Sequence, residues 1–283
     1  MAEISRRSFM AVAGCAAAFA AGLRANPLGW PIGCQTYPVR TNLAADFPGT
    51  IKMLTDAGFQ AIELCSPVAY AEFRGLAKYS GKELSKMLGD MGVRCESAHF
   101  GLKELRDGQA ARIEWAAEMG MTQMAVASLS GPKDPTMDDV KRLADEYNKM
   151  GELAAKSGIQ QMLHNEGFEC SLLSGTPNGG QRVYDTLFQL LDPKLVKFQF
   201  QISTIAQGFD AVEYFTKFPG RFRSMHVQGW DMDAKKQVVV GKDSLDWKKI
   251  FTTAKAAGVQ NYFVEMSYDL MKPSATYLKT LQA

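Results

Sequence analysis

Ala154-Ala155-Lys156-Ser157-Gly158-Ile159-Gln160-Gln161-Met162-Leu163-His164-Asn165 is the stretch on which the fold turns. An amphipathic segment leads into it. Over residues 138–156, Val140, Leu143, Tyr147, Met150, Leu153 and Ala154 recur at the i, i+3, i+4 spacing of one helix face. Gly158 then supplies the turn that ends a helix, and residues 159–165 read as a short buried strand. That strand finishes on a polar residue, His164.

The same order of events recurs on both sides. Ala-Gly-Phe (57–59), Met-Gly-Val (91–93), Met-Gly-Met (119–121) and Ala-Gly-Val (257–259) are further helix-terminal glycines that lead straight into an apolar run. Strands are expected at 32–37, 60–65, 93–99, 123–128, 159–165, 196–202, 222–228 and 261–266. Their starts lie roughly 30 to 40 residues apart, the length of a βαβ crossover. Eight such units fit a closed parallel barrel better than an open sheet, and no Gly-rich dinucleotide fingerprint follows the first strand. The expected fold is α/β, a single-domain (β/α)8 TIM barrel spanning residues 26–283.

The front end reads as a leader. Ser5-Arg6-Arg7-Ser8-Phe9-Met10 is a twin-arginine pattern, followed by a small-residue apolar stretch to Leu23 and a cleavage point after Ala25. Residues 1–25 are therefore expected to be a twin-arginine signal peptide and the mature protein periplasmic. A lipoprotein reading of Val12-Ala13-Gly14-Cys15 is weaker, because it leaves few apolar residues after the arginines. The apolar stretch is too short to span a membrane. The 283-residue chain has a formal charge of +2 and no basic run interleaved with aromatics, which gives no sign of nucleic-acid binding. Cys34, Cys65, Cys95 and Cys170 have no CxxC spacing and read as free thiols, three of them in buried strands.

Function is announced by what stands at the strand ends. The only three histidines, His99, His164 and His226, all fall there, as do Gln201 and Glu265. Alternate residues of a strand share a face. If His226 points inward so do Ser224 and Gln228, Gln199 goes with Gln201, and Glu166 with His164. The opposite parity (Phe198, Phe200, Met225, Val227, Val264) is apolar and suits packing under helices. Polar groups gathered at the C-terminal ends of barrel strands are the layout of a TIM-barrel active site. Imidazole and oxygen donors at His164, Gln201, His226 and Glu265 suit one divalent metal.

At these residues the chain resembles the xylose isomerase-like TIM barrel superfamily, in its sugar phosphate isomerase/epimerase branch. Ile32-Gly33-Cys34-Gln35-Thr36-Tyr37-Pro38-Val39-Arg40 is similar to the opening strand of that branch, and Gly58-Phe59-Gln60-Ala61-Ile62-Glu63-Leu64 to its second. Ser97-Ala98-His99-Phe100-Gly101, Leu163-His164-Asn165-Glu166 and Met225-His226-Val227 follow its third, fifth and seventh, and Tyr262-Phe263-Val264-Glu265 its last. The resemblance implies a carbohydrate isomerase or epimerase that removes a proton next to a sugar carbonyl, with a divalent metal, Mn²⁺ foremost, on His164, Gln201, His226 and Glu265. It also implies catalytic roles for Glu265, His99 and His164. Gln35, Tyr37, Glu63, Glu166, Trp230 and Lys242 are the candidate substrate contacts, and a homodimer paired through rim loops is admitted. The chain departs from the pattern where Gln199 and Gln201 replace carboxylates and Glu166 replaces a histidine. Two alternatives therefore stand beside the first: a 3-keto-glycoside lyase or hydratase, and a non-catalytic sugar-binding barrel with a decayed metal site.

Overall fold

The computed structural model describes residues 27–175 and 180–282. Residues 1–25, where the leader is expected, lie outside the described residues.

Eight parallel strands close into a barrel. In chain order they are β1 (Gly33–Gln35), β2 (Ala61–Cys65), β3 (Arg94–Phe100), β4 (Gln123–Val126), β5 (Gln160–His164), β6 (Val196–Gln201), β7 (Phe222–Val227) and, after a small hairpin of β8 (Gly229–Asp231) and β9 (Lys236–Val238), β10 (Asn261–Val264). Neighbours around the ring follow chain order, and β1 closes it against β10 with Gly33 opposite Phe263. That closure needs glycine: a Cβ on Gly33 would lie 2.6 Å from the Phe263 ring and from the Tyr262 carbonyl. The expected barrel is thus present in full.

The helix-to-strand junctions follow the glycine signals. The helix Met137–Ala155 is opened by a capping box in which Thr136 and Asp139 bond each other's backbone N–H. It ends before Gly158, whose φ of 71° lies in the left-handed region glycine tolerates. The strands are shorter than the sequence suggested. Pro38 turns the chain into a short 3₁₀ segment at Tyr37, so Tyr37 stands on the lip instead of in β1. Glu265 lies one residue beyond β10, though its N–H still donates to the Val227 carbonyl at 3.1 Å. The helix Phe47–Asp56 ends at the glycine expected to close it, Gly58, whereas the short helix Arg40–Ala45 and the β8–β9 hairpin had no reading in the sequence.

The parity expected within strands holds. Phe198 and Phe200 of β6 face outward into a cluster with Tyr184, Phe188, Tyr214 and Phe215 of the covering helices; the Phe188 and Phe198 rings stack at 4.0 Å. The inward face of β6 carries Gln199 and Gln201. Register shifts interrupt two pairings, between Ile62 and Glu63 and between Phe198 and Gln199. Such bulges re-aim side chains beside active sites, and Glu63 and Gln199 are indeed partners across the lumen, with Gln199 donating to Glu63 at 2.9 Å. All four described cysteines are free. No helix among the described residues is long and apolar enough to cross a membrane.

Candidate active site

A fully buried carboxylate, Glu63 of β2, organises the lumen. Its Oε2 accepts from Gln35 Nε2 at 3.0 Å and from His226 Nε2 at 2.6 Å, and lies 3.3 Å from His99 Nε2. Its Oε1 accepts from Gln199. Burial disfavours the charge on Glu63, but the charges and hydrogen bonds of His99 and His226 outweigh it and hold the carboxyl well below its ordinary range. His99 Nε2 also sits 2.7 Å from Gln199 Oε1. Both of its neighbours only accept, so this nitrogen carries the proton.

Above this layer stands Glu265. Its Oε2 meets His226 Nδ1 at 3.1 Å and accepts from Gln201 Nε2 and Gln228 Nε2, each at 2.9 Å. Its Oε1 has no hydrogen bond among the described residues. With a carboxylate at each nitrogen, His226 is an imidazolium: burial opposes the charge, yet Glu265 and Glu63 raise its pKa to about 10. The same charge keeps Glu265 ionised against the cost of its burial.

His164 is the opposite case. Burial, reinforced by the charges of His226 and His99, lowers its pKa well below 6.5, and neither ring nitrogen makes a hydrogen bond of good geometry among the described residues. The three imidazoles are packed together, with His164 and His226 rings 4.4 Å apart and nitrogens of all three within 4.8 Å. Leaving buried polar atoms unpaired costs about 1–3 kcal/mol each. Here the orphans are both nitrogens of a neutral imidazole and the Oε1 atoms of Gln201 and Gln228. The unprotonated imidazole nitrogen and the two amide oxygens are lone-pair donors beside an ionised carboxylate, the chemistry a divalent cation satisfies. The residues present fit such an ion. Glu63 behind His226 is then the carboxylate that typically fixes a metal-bound imidazole.

A cavity of about 340 Å³ opens over this layer, lined by Tyr37, Arg40, Glu166, Gln201, Ser203, Gln228, Gln237, Glu265 and Ser267 among others. Glu166 faces it with a carboxyl whose pKa is raised by partial burial and by Glu265. A larger cleft of about 490 Å³ lies near the helices Ala211–Lys217 and Trp247–Ala256 and contains none of these groups, so size does not mark the site.

The sequence-predicted residues separate by depth. His164, Gln201, His226 and Glu265 converge, and Tyr37 and Glu166 line the cavity. Gln35 and Glu63 do not: both are fully buried and bonded to each other beneath the cavity. His99 belongs to the same lower layer. Trp230 pairs in register with Gln237 on the hairpin but lies outside the cavity lining, and its indole N–H is unpartnered. Lys242 is exposed on the loop after the hairpin, also away from the lining. Sequence reasoning gave no role to Arg40, Gln228 or Ser267. Gln228 was within reach, since it shares the parity of His226.

A family model for the xylose isomerase-like TIM barrel matches residues 51–281. The chain belongs to that family. It is 24% identical over 221 residues to the inosose dehydratase of Geobacillus thermodenitrificans (strain NG80-2), covering 65% of this chain and 72% of the relative. Among solved structures it is similar to a sugar phosphate isomerase/epimerase from Parabacteroides distasonis, with a TM-score of 0.72 and 23% identity over 88% of this chain and 93% of the other. It is also similar to a xylose isomerase-like barrel from Mycobacterium smegmatis in complex with magnesium (TM-score 0.60, 13% identity, 90% and 97% covered).

Proposed function

We propose that this barrel is a metal-assisted carbohydrate isomerase or epimerase that moves a proton at the carbon next to a sugar carbonyl. The observation that carries the reading is the split state of Glu265. One oxygen is pinned by three donors while the other is free on the cavity floor. A carboxylate held ionised, oriented and exposed on one atom is a general base. A divalent ion at His164, His226, Glu265 and Gln201, with the Nδ1 proton of His226 lost on binding, would supply positive charge beside the carbonyl oxygen and make the neighbouring C–H more acidic. That a structural relative is in complex with magnesium supports a divalent ion in this barrel.

Glu265 Oε1 takes the proton from carbon. Glu166, whose environment favours its protonated form more than that of Glu265 does, lines the same cavity and returns a proton. Two carboxyls whose surroundings push their pKa values apart divide into acid and base. His99 holds Gln199 and Glu63 in place, and Glu63 holds His226.

A second reading rests on the same pair. If Glu166 gives its proton to a leaving hydroxyl instead of to carbon, the outcome is elimination of water, and the dehydratase among the relatives supports that outcome. Residues 1–25 support export to the periplasm as part of the proposal. The test is NMR of aldoses, ketoses and inososes in D₂O with manganese in excess. Deuterium entering carbon without loss of hydroxyl identifies isomerase or epimerase chemistry, and an enone or a lost hydroxyl identifies the lyase. Glu265→Gln is expected to slow exchange by about 10²- to 10⁴-fold. Exchange at the wild-type rate in that variant removes Glu265 as the base, and no exchange in the wild type leaves the non-catalytic barrel as the account.

A further inference from the structure

No hydrogen bond holds the Glu166 carboxyl among the described residues, so its place at the cavity is set by the backbone that carries it. That backbone has already left the sheet. The β4–β5 ladder ends with Val126 opposite Leu163, and Gly167, at φ 68°, turns the chain immediately after Glu166.

The turn is held by contacts to the loop that follows β4. Ser128 Oγ accepts the Phe168 N–H at 3.2 Å, and a Cβ on Gly167 would lie 3.3 Å from the same oxygen. The Phe168 ring lies so close over Gly131 that a Cβ there would overlap it. Glu169 completes the set, with Oε1 accepting the Leu129 N–H at 2.7 Å across the two loops. Its carboxyl is fully buried and Oε2 is unpartnered. Among the described residues, the titratable groups around it are Glu166, Cys170, Tyr147 and Tyr184, and none of these is a cation. An apolar side chain of this size would cost less to bury. What the acid adds is one directional bond between loops that no ladder joins.

We propose that Glu169 is a positioning residue that fixes Glu166 at the cavity by clamping the loop after β5 to the loop after β4. The inference rests on the reading of Glu166 as the acid and goes beyond it by naming the buried side chain through which that acid is placed. Glu169 lies outside the cavity lining, so its effect on turnover passes through the loop it holds. Release of the clamp lets Glu166 move into fuller solvation and away from the substrate.

The experiment follows the Glu166 carboxyl by ¹³C NMR through a pH titration of full-length, glutamate-labelled protein, with Glu166→Gln identifying its signal. Wild type, Glu169→Gln, Glu169→Ala and Ser128→Ala are compared. Burial raises the pKa of Glu166, and that of Glu169 to about 8, so at neutral pH the amide of Glu169→Gln copies a protonated acid and keeps its acceptor. Glu166 is expected to titrate alike in wild type and Glu169→Gln, and lower by about 0.5 or more in Glu169→Ala. Ser128→Ala is expected to shift it less, in the same direction. With a substrate from the exchange assay, Glu169→Ala is expected to lower kcat about tenfold or more with KM within about threefold, and Glu169→Gln to restore kcat. An unmoved Glu166 titration in folded Glu169→Ala overturns the inference and leaves the proposed function standing. So does a Glu169→Gln protein as slow as Glu169→Ala. If Glu169→Ala does not fold, wild-type titration and turnover in Ser128→Ala overturn it. A wild type that turns over no sugar defeats the proposed function, while the titration, which needs no substrate, still decides the clamp.

Discussion

Single residues in this barrel are set by what they lack as much as by what they touch. Glu169, just past β5, is fully buried; Oε1 accepts from the Leu129 N–H at 2.7 Å and Oε2 has no partner. Burial raises its pKa from 4.5 to about 8. The unfolded chain then releases this proton near 4.5, whereas the folded chain keeps it to about 8. The contribution to stability is therefore complete below 4.5 and is lost as the pH rises towards 8. Glu169→Gln is expected to remove that slope and to leave the protein more stable than wild type at pH 8. Thermal melts from pH 4.5 to 8.5 check this, and an unchanged slope refutes it. Glu63 shows why residue roles are hard to assign from sequence. Its strand and inward direction were legible, but its depth was not, because depth depends on a register shift that no periodicity encodes.

Elements were the best-read level. Alternation in β6 separated Phe198 and Phe200 from Gln199 and Gln201 correctly, because the two faces meet environments as different as a helix layer and a polar lumen. Phe198 is expected to behave as core: Phe198→Ala should cost about 3–5 kcal/mol, read from urea denaturation midpoints. A loss below about 1 kcal/mol would mean the stacked ring is dispensable. Strand ends were misjudged where a turn residue intervened, as at Pro38. The β8–β9 hairpin was missed because a polar three-residue strand differs little in composition from a loop.

Across the whole molecule, the fold was legible because eight repeats of one pattern leave few topologies open. The site was legible in part, through rare residues at strand ends. The four expected metal donors come from or next to β5, β6, β7 and β10, so one ion would tie half the ring together. A ligand bound only by the folded state at a hundred times its Kd stabilises by about 2.7 kcal/mol, which for a domain of this size is an upward Tm shift of roughly 5–10 °C. Manganese is expected to produce such a shift in the wild type and little in His164→Ala, measured by scanning calorimetry. Equal shifts in both proteins would remove His164 from the donor set.

The carboxylate of Glu63 bonds side chains from β1, β6 and β7 at once and lies beside His99 of β3. Replacing Glu63 would strand the charge of His226, and replacing His226 would leave Glu63 without its closest charged partner, so this foundation resists piecemeal change. Divergence toward new ligands is thereby channelled to side chains outside the clasp, such as those of Tyr37, Arg40, Gln237 and Ser267. Relatives that share this clasp are expected to keep their proton chemistry while trading ligands freely at the mouth.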